Sequence, residues 1–138
     1  MLVGGIRPHM YCLPVAKRAK HKHALRQIIA TGSEKFFLGT DTAPHERHAK
    51  ESACGCAGIF SAPVALESYA QTFEEMDALD KLEGFASLHG PRFYGLPLNE
   101  GTVTLERSGL TVPAAIDPEG EDVTPFHAGE RLDWRVSG

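Results

Sequence analysis

The chain has 138 residues, enough for one domain with a real core. Its composition, 42% hydrophobic and 23% charged, is ordinary for a soluble globular protein, and a formal net charge of −4 offers no basic footing for nucleic acid. No apolar run approaches the roughly 20 residues that span a bilayer, and MLVGGIRPHM lacks the apolar core of a signal peptide.

Gly4-Gly5 and Pro8 mark the opening as a loop. Met10 to Leu13 is a short apolar run stopped by Pro14 and reads as the end of a buried strand. Lys17 to Ala30 reads as a helix with Leu25, Ile28 and Ile29 on one apolar face, ended by Thr31-Gly32. Phe36-Phe37-Leu38 reads as a buried strand, with Asp41 just beyond its C-terminal tip. Helix, buried strand, then carboxylate is the pattern of an α/β fold, in which chemistry gathers at that end of the strands.

Ser61 is placed to cap a helix running to about Glu75, with Pro63 in its first turn and Ala62, Leu66, Tyr69 and Phe73 on one stripe. A second helix, about Ala78 to Leu88, aligns Leu79, Leu82 and Phe85, and Gly90-Pro91 is expected to stop it. Beyond it, Thr102 to Glu106 and Arg131 to Val136 alternate, with turn signals at Pro113 and at Asp117-Pro118-Glu119-Gly120. This predicts short antiparallel strands.

The chemistry-bearing side chains crowd residues 41 to 58. Asp41 suits metal binding or proton transfer, and equally suits a turn cap after a strand. His45 and His48 stand three apart, Cys54 and Cys56 two apart. A zinc module built on these four is one reading, but the spacing matches structural zinc sites weakly. Small residues around Cys54 and Cys56 let backbone approach a ligand closely, so amides are expected to make contacts while the two thiols pack. Cys12, Cys54 and Cys56 are an odd count that suits reduced thiols in the cytoplasm. His21 and His23 lie on the basic helix beside Lys20, Lys22 and Arg26, where residues two apart do not face each other, so a solvated face is expected. His9, His89 and His127 carry no pattern and read as surface or loop residues, whereas Met10 reads as core and Trp134 as a packing residue in a strand.

Three stretches together are distinctive: GGIRPHMYCLPVAKR, FFLGTDTAPHERHAKESACGCAGIFSAPVALESYA and FYGLPLN. They resemble the C-terminal part of bacterial-type dihydroorotase, of the amidohydrolase superfamily, over nearly the whole chain and least after about Val112. The resemblance implies about the last two β/α units of a TIM-like (β/α)8 barrel over residues 1–98, with a β-rich extension of the same domain over 99–138. It implies zinc-dependent interconversion of N-carbamoyl-L-aspartate and dihydroorotate in pyrimidine synthesis, on two zinc ions bridged by hydroxide. Metal-bound water of pKa about 7 is a competent nucleophile. Asp41 would touch the more exposed zinc and shuttle a proton to the ring nitrogen. His45 and the Ala57 backbone would hold the substrate carboxylate, and the Leu13 backbone would meet the ring.

The family's H-x-H pair, its arginine and asparagine, its carboxylated lysine and two further histidines have no counterpart here, and His21-Lys22-His23 falls on the wrong element. Met1 then reads as an internal methionine of a longer protein. The isolated chain is expected to lack dihydroorotase activity and tight zinc, because two strands cannot close a barrel and one carboxylate cannot hold two metals. Two other readings stay open. One is a non-catalytic remnant that binds a partner, either a second copy in a homodimer or a separate N-terminal piece. The other is the small His/Cys metal module.

Overall fold

The structure, a computed structural model, describes residues 7–15, 18–117 and 122–137. The Gly4-Gly5 loop, the Lys17 start of the first helix and the Pro118–Gly120 turn fall outside the described residues. The chain forms two compact units that interleave along the sequence. One comprises residues 1–16, 40–65 and 111–131; the other comprises 17–39, 66–110 and 132–138.

The second unit holds most of the regular structure. Helix α1, Ala19–Ala30, follows the apolar spacing of its sequence and ends at Thr31, whose hydroxyl donates to the Ile28 carbonyl at 2.6 Å. Its polar side is the expected solvated one, with Lys20, His21, Lys22 and His23 exposed. Its apolar face divides. Ile29 and Ala30 pack against the core, whereas Leu25 and Ile28 are 51% and 39% exposed, because the described residues of this unit bring nothing over them.

The core of this unit gathers Ala70, Phe73, Ala78, Leu82 and Phe85, with Tyr69, Phe36, Leu38, Leu105 and Trp134 against it. Phe73 and Tyr69 lie on the predicted stripe of α3 (Ala65–Glu74) and meet the Phe85 ring at centroid distances of 5.3 and 5.1 Å. Burial pushes the Tyr69 hydroxyl up from its ordinary pKa.

Three expectations are corrected in this unit. Phe36–Leu38 has no regular secondary structure and joins no ladder; its main-chain ties are Phe36 N–H to the Ser33 carbonyl at 3.1 Å and Leu38 N–H to the Phe85 carbonyl at 2.9 Å. A run suited to a parallel strand becomes one only beside neighbouring strands. Gly90-Pro91 does not end the helix. A 3₁₀ turn at Leu79–Lys81 and a π-helical turn at Gly84–Leu88 lead into α4, His89–Tyr94, which ends at Gly95 in the left-handed region (φ 66°). The wide π turn accommodates the Pro91 ring, and a hydrogen at Gly90 in place of a Cβ leaves room for Phe37, whose ring would lie 3.3 Å from such an atom. His89 is buried, and its Nδ1 donates to the Phe36 carbonyl at 3.2 Å.

The tail carries the expected short strands: β1, Thr104–Glu106; β2, Leu110–Thr111; β3, Arg131–Leu132; β4, Arg135–Ser137. Strands β1 and β4 pair antiparallel, Leu105 opposite Val136. Trp134 lies between β3 and β4 and donates from Nε1 to Glu74 Oε2 at 3.1 Å, and buried Glu67 accepts the Val136 N–H at 3.2 Å, so α3 anchors the strand pair. No described helix is long and apolar enough to cross a membrane.

Candidate active site

The first unit is mostly loop, so side chains rather than ladders hold it. Met10 to Leu13 is not a strand end. A 3₁₀ turn at Pro8–Met10 leads into irregular chain, and Leu13 is exposed. Residues 41–45 then run beside 57–59. Thr42 bridges Ile59 in parallel, and Ala43 N–H donates to the Ile59 carbonyl at 3.0 Å. Helix α2, Arg47–Lys50, is a single turn between them.

The helix that follows is capped from a distance. Ser61 makes no cap bond, and its hydroxyl donates to the Thr40 carbonyl instead. The Thr42 hydroxyl accepts both Ser61 N–H and Ala62 N–H at 3.1 Å, satisfying donors that a helix start leaves open. Thr42→Val keeps the shape and removes the acceptor. It is expected to cost about 1 kcal/mol in urea unfolding, with Ser61→Ala costing less.

Asp41 sits in the left-handed region, φ 44°, exposed, with no hydrogen-bond or ion-pair partner among the described residues. His45 is half-buried, and its Nε2 donates to the Ala57 carbonyl at 3.2 Å. That leaves Nδ1, and the Ala57 N–H, without a hydrogen-bond partner among the described residues. Gly58 explains the fit: a Cβ there would lie 2.7 Å from the Ala43 carbonyl oxygen and 2.8 Å from His45 Cδ2. Leu13 is brought near the same backbone, since Gly58 N–H donates to the Tyr11 carbonyl at 2.9 Å, two residues before it.

His48 binds Glu46 at 2.7 Å and is exposed; Cys54 is exposed, Cys12 and Cys56 half-buried. Cys54 is therefore not a packed thiol: the left-handed turn at Gly55, φ 70°, leaves it facing outward. No group of three or more His, Cys, Asp or Glu among the described residues could hold a metal ion. His45, His48, Cys54 and Cys56 do not converge, and Asp41 supplies a single carboxylate. The described residues therefore do not by themselves build a zinc site.

An ion-pair group backs the loop. Arg47 grips Asp122 with Nε at 2.6 Å and a second nitrogen at 3.3 Å, and reaches Glu51 at 3.4 Å, while His9 Nε2 meets Glu51 at 3.0 Å. The hydrogen bond from Arg47 holds the Asp122 carboxyl below its usual 3.8, and that from His9 holds Glu51 below 4.5. A carboxyl depressed in the folded state stabilises fully above its unfolded pKa and loses that contribution as pH falls through the lower folded value. Acid titration followed by circular dichroism is expected to show weakening that sets in below about pH 4 and is reduced in Asp122→Asn.

Sequence reasoning missed Lys50. Its side chain is buried, 3% exposed, and its Nζ donates to three carbonyls, Tyr11 at 3.1 Å, Cys56 at 2.5 Å and Gly58 at 2.7 Å. Desolvation lowers its pKa from the ordinary 10.5. A lysine next to Glu51 and three residues after Arg47 reads as solvated; the one available signal was its place ahead of the C-G-C-A-G run.

No family model matches the chain. Curated dihydroorotases do. That of Erythrobacter litoralis is 67% identical over 136 residues, 99% of this chain and 40% of the relative, and that of Shewanella halifaxensis is 65% identical over 137 residues with the same coverage. Among solved structures, Saccharomyces cerevisiae dihydroorotase in complex with 5-fluoroorotic acid superposes with TM-score 0.87 at 34% identity, covering 95% of this chain and 38% of that one. Dihydroorotase from Campylobacter jejuni gives 0.82 at 35% identity with the same coverage. The chain thus spans about 40% of the length of the curated relatives it matches. In sequence and in fold it is similar to a portion of the dihydroorotases, in keeping with the C-terminal part that its motifs indicate.

Proposed function

We propose that this chain forms one wall of a dihydroorotase active site, where N-carbamoyl-L-aspartate and dihydroorotate are interconverted. In this reading it supplies about the last two β/α units of a (β/α)8 barrel and the antiparallel tail, and the remaining walls come from the rest of the barrel. The observation that carries the reading is the packing of His45 against Ala57 over Gly58, a position with no space for a Cβ. It sets an imidazole ring beside a main-chain N–H that has no partner among the described residues, an arrangement suited to a carboxylate.

In the hydrolytic direction, water adds to the ring carbonyl carbon, the ring C–N bond breaks, and the departing nitrogen needs a proton. Asp41 takes a proton from the attacking water and returns it to that nitrogen; its exposure and lack of a partner suit a carboxylate that meets its reactant from outside the chain. His45, its ring held by Nε2 on the Ala57 carbonyl, meets the substrate carboxylate. The Leu13 backbone lines the ring. Asp41 alone does not hold zinc, so any ion would need ligands from outside the described residues.

The test is an exchange protein, the Erythrobacter litoralis dihydroorotase with its matching 136 residues replaced by those of this chain. Turnover of dihydroorotate within about tenfold of the parent, one order of magnitude being about 1.4 kcal/mol of barrel-fitting loss, is the expected result. A folded, zinc-loaded exchange protein without turnover refutes the reading. The 138-residue chain assayed alone is expected to give none.

A further inference from the structure

We infer that Lys50 is a positioning residue for the substrate-binding backbone, its buried ammonium pinning together the two loops that carry Leu13 and Ala57. The inference rests on the function proposed above. Its three acceptors are placed tellingly. Cys56 and Gly58 flank Ala57 on either side, and Tyr11 precedes Leu13 by two residues. The Tyr11 carbonyl also accepts Gly58 N–H, and the Tyr11 ring centroid lies 5.8 Å from Nζ. Each of these stretches lacks a strand ladder, so one cation replaces the hydrogen-bond network a sheet would have supplied. A buried ammonium persists only where acceptors surround it, and here all three of its donors are used on main chain. Such a contact costs desolvation without contributing an ion pair, which is the pattern of a group retained for geometry. No carboxylate among the described residues pairs with it.

The test is steady-state kinetics on the exchange protein carrying Lys50→Ala, with and without ethylammonium. KM for dihydroorotate is expected to rise at least about tenfold with kcat within about threefold of the unaltered protein, and ethylammonium, by restoring a cation among the three carbonyls, is expected to bring KM back down. An unchanged KM, or a rise that the amine does not correct, overturns the inference. Hydrogen exchange on the 138-residue chain itself separates this from failure of the functional reading. If the unaltered exchange protein is inactive, the functional reading has failed. The clamp is then judged by whether Lys50→Ala speeds exchange at residues 10–13 and 54–60 and ethylammonium slows it again. Exchange unaffected by the substitution overturns the clamp as well.

Discussion

Asp41→Asn in the exchange protein is expected to lower kcat about a thousandfold, within the range that a positioned acid–base group contributes. The fold should be unaffected, and the reason is specific to this position. Asp41 has φ 44°, and asparagine is one of the few other residues that enters the left-handed region readily. The substitution preserves shape and backbone preference and removes only the capacity to take and return a proton. No described residue pairs with the carboxylate, so no buried partner is orphaned. KM should change little, because the residues placed on the substrate carboxylate, His45 and Ala57, are untouched. A fall in kcat of less than about tenfold would mean that another group moves the proton.

Gly58→Ala carries the second large effect, on binding and stability together. The added Cβ would stand 2.7 Å from the Ala43 carbonyl oxygen, 2.8 Å from Ala43 Cβ and 2.8 Å from His45 Cδ2. Two of these neighbours belong to the short residue Ala43, main chain or Cβ, so no flexible side-chain end can swing away. The strands of chain at 43–45 and 57–59 must separate, at a cost of roughly 3 kcal/mol by analogy with overpacked cores. Separation breaks the His45–Ala57 bond and shifts two of the three carbonyls on Lys50. The expected outcome is a lowered unfolding midpoint in urea and a KM for dihydroorotate raised more than tenfold, about 1.4 kcal/mol or more of binding. Gly95→Ala is the contrast. No atom lies within 4 Å of its Cβ position, so only its left-handed φ of 66° is strained, and its cost should stay near 1 kcal/mol.

Much of the second unit was legible because its helices obey a local period. Of the stripe Ala62, Leu66, Tyr69 and Phe73, the last two meet the core while Ala62 is exposed, and the alternation around Leu105 and Val136 anticipates β1 and β4. What was not legible depends on partners distant in sequence. The helix start at Ala62 is capped by Thr42, twenty residues away, so Ser61 at the usual position was the natural but mistaken choice. Phe36–Leu38 has the composition of a buried strand, yet pairing is a property of neighbours that composition does not encode. Gly90-Pro91 fails to stop a helix because a π turn precedes it, which no residue pattern announces.

The site divides in the same way. Asp41, His45 and the small residues around Ala57 drew notice because residue type and crowding hint at chemistry. The contact of His45 with the Ala57 carbonyl joins two of them, with Gly58 as its reason. Lys50 escaped notice because a lysine's default is solvent, and only three converging carbonyls reveal otherwise. Such convergence is a property of loops folded on one another, invisible to spacing.

If residues 41 to 58 face the substrate, a crystal structure of the exchange protein with 5-fluoroorotic acid, the compound bound in the yeast relative, will show it. The compound's carboxylate is expected within hydrogen-bond distance of the His45 ring and the Ala57 N–H, with Asp41 beside the ring nitrogen. A compound bound with His45 and Ala57 turned away from its carboxylate would refute that placement.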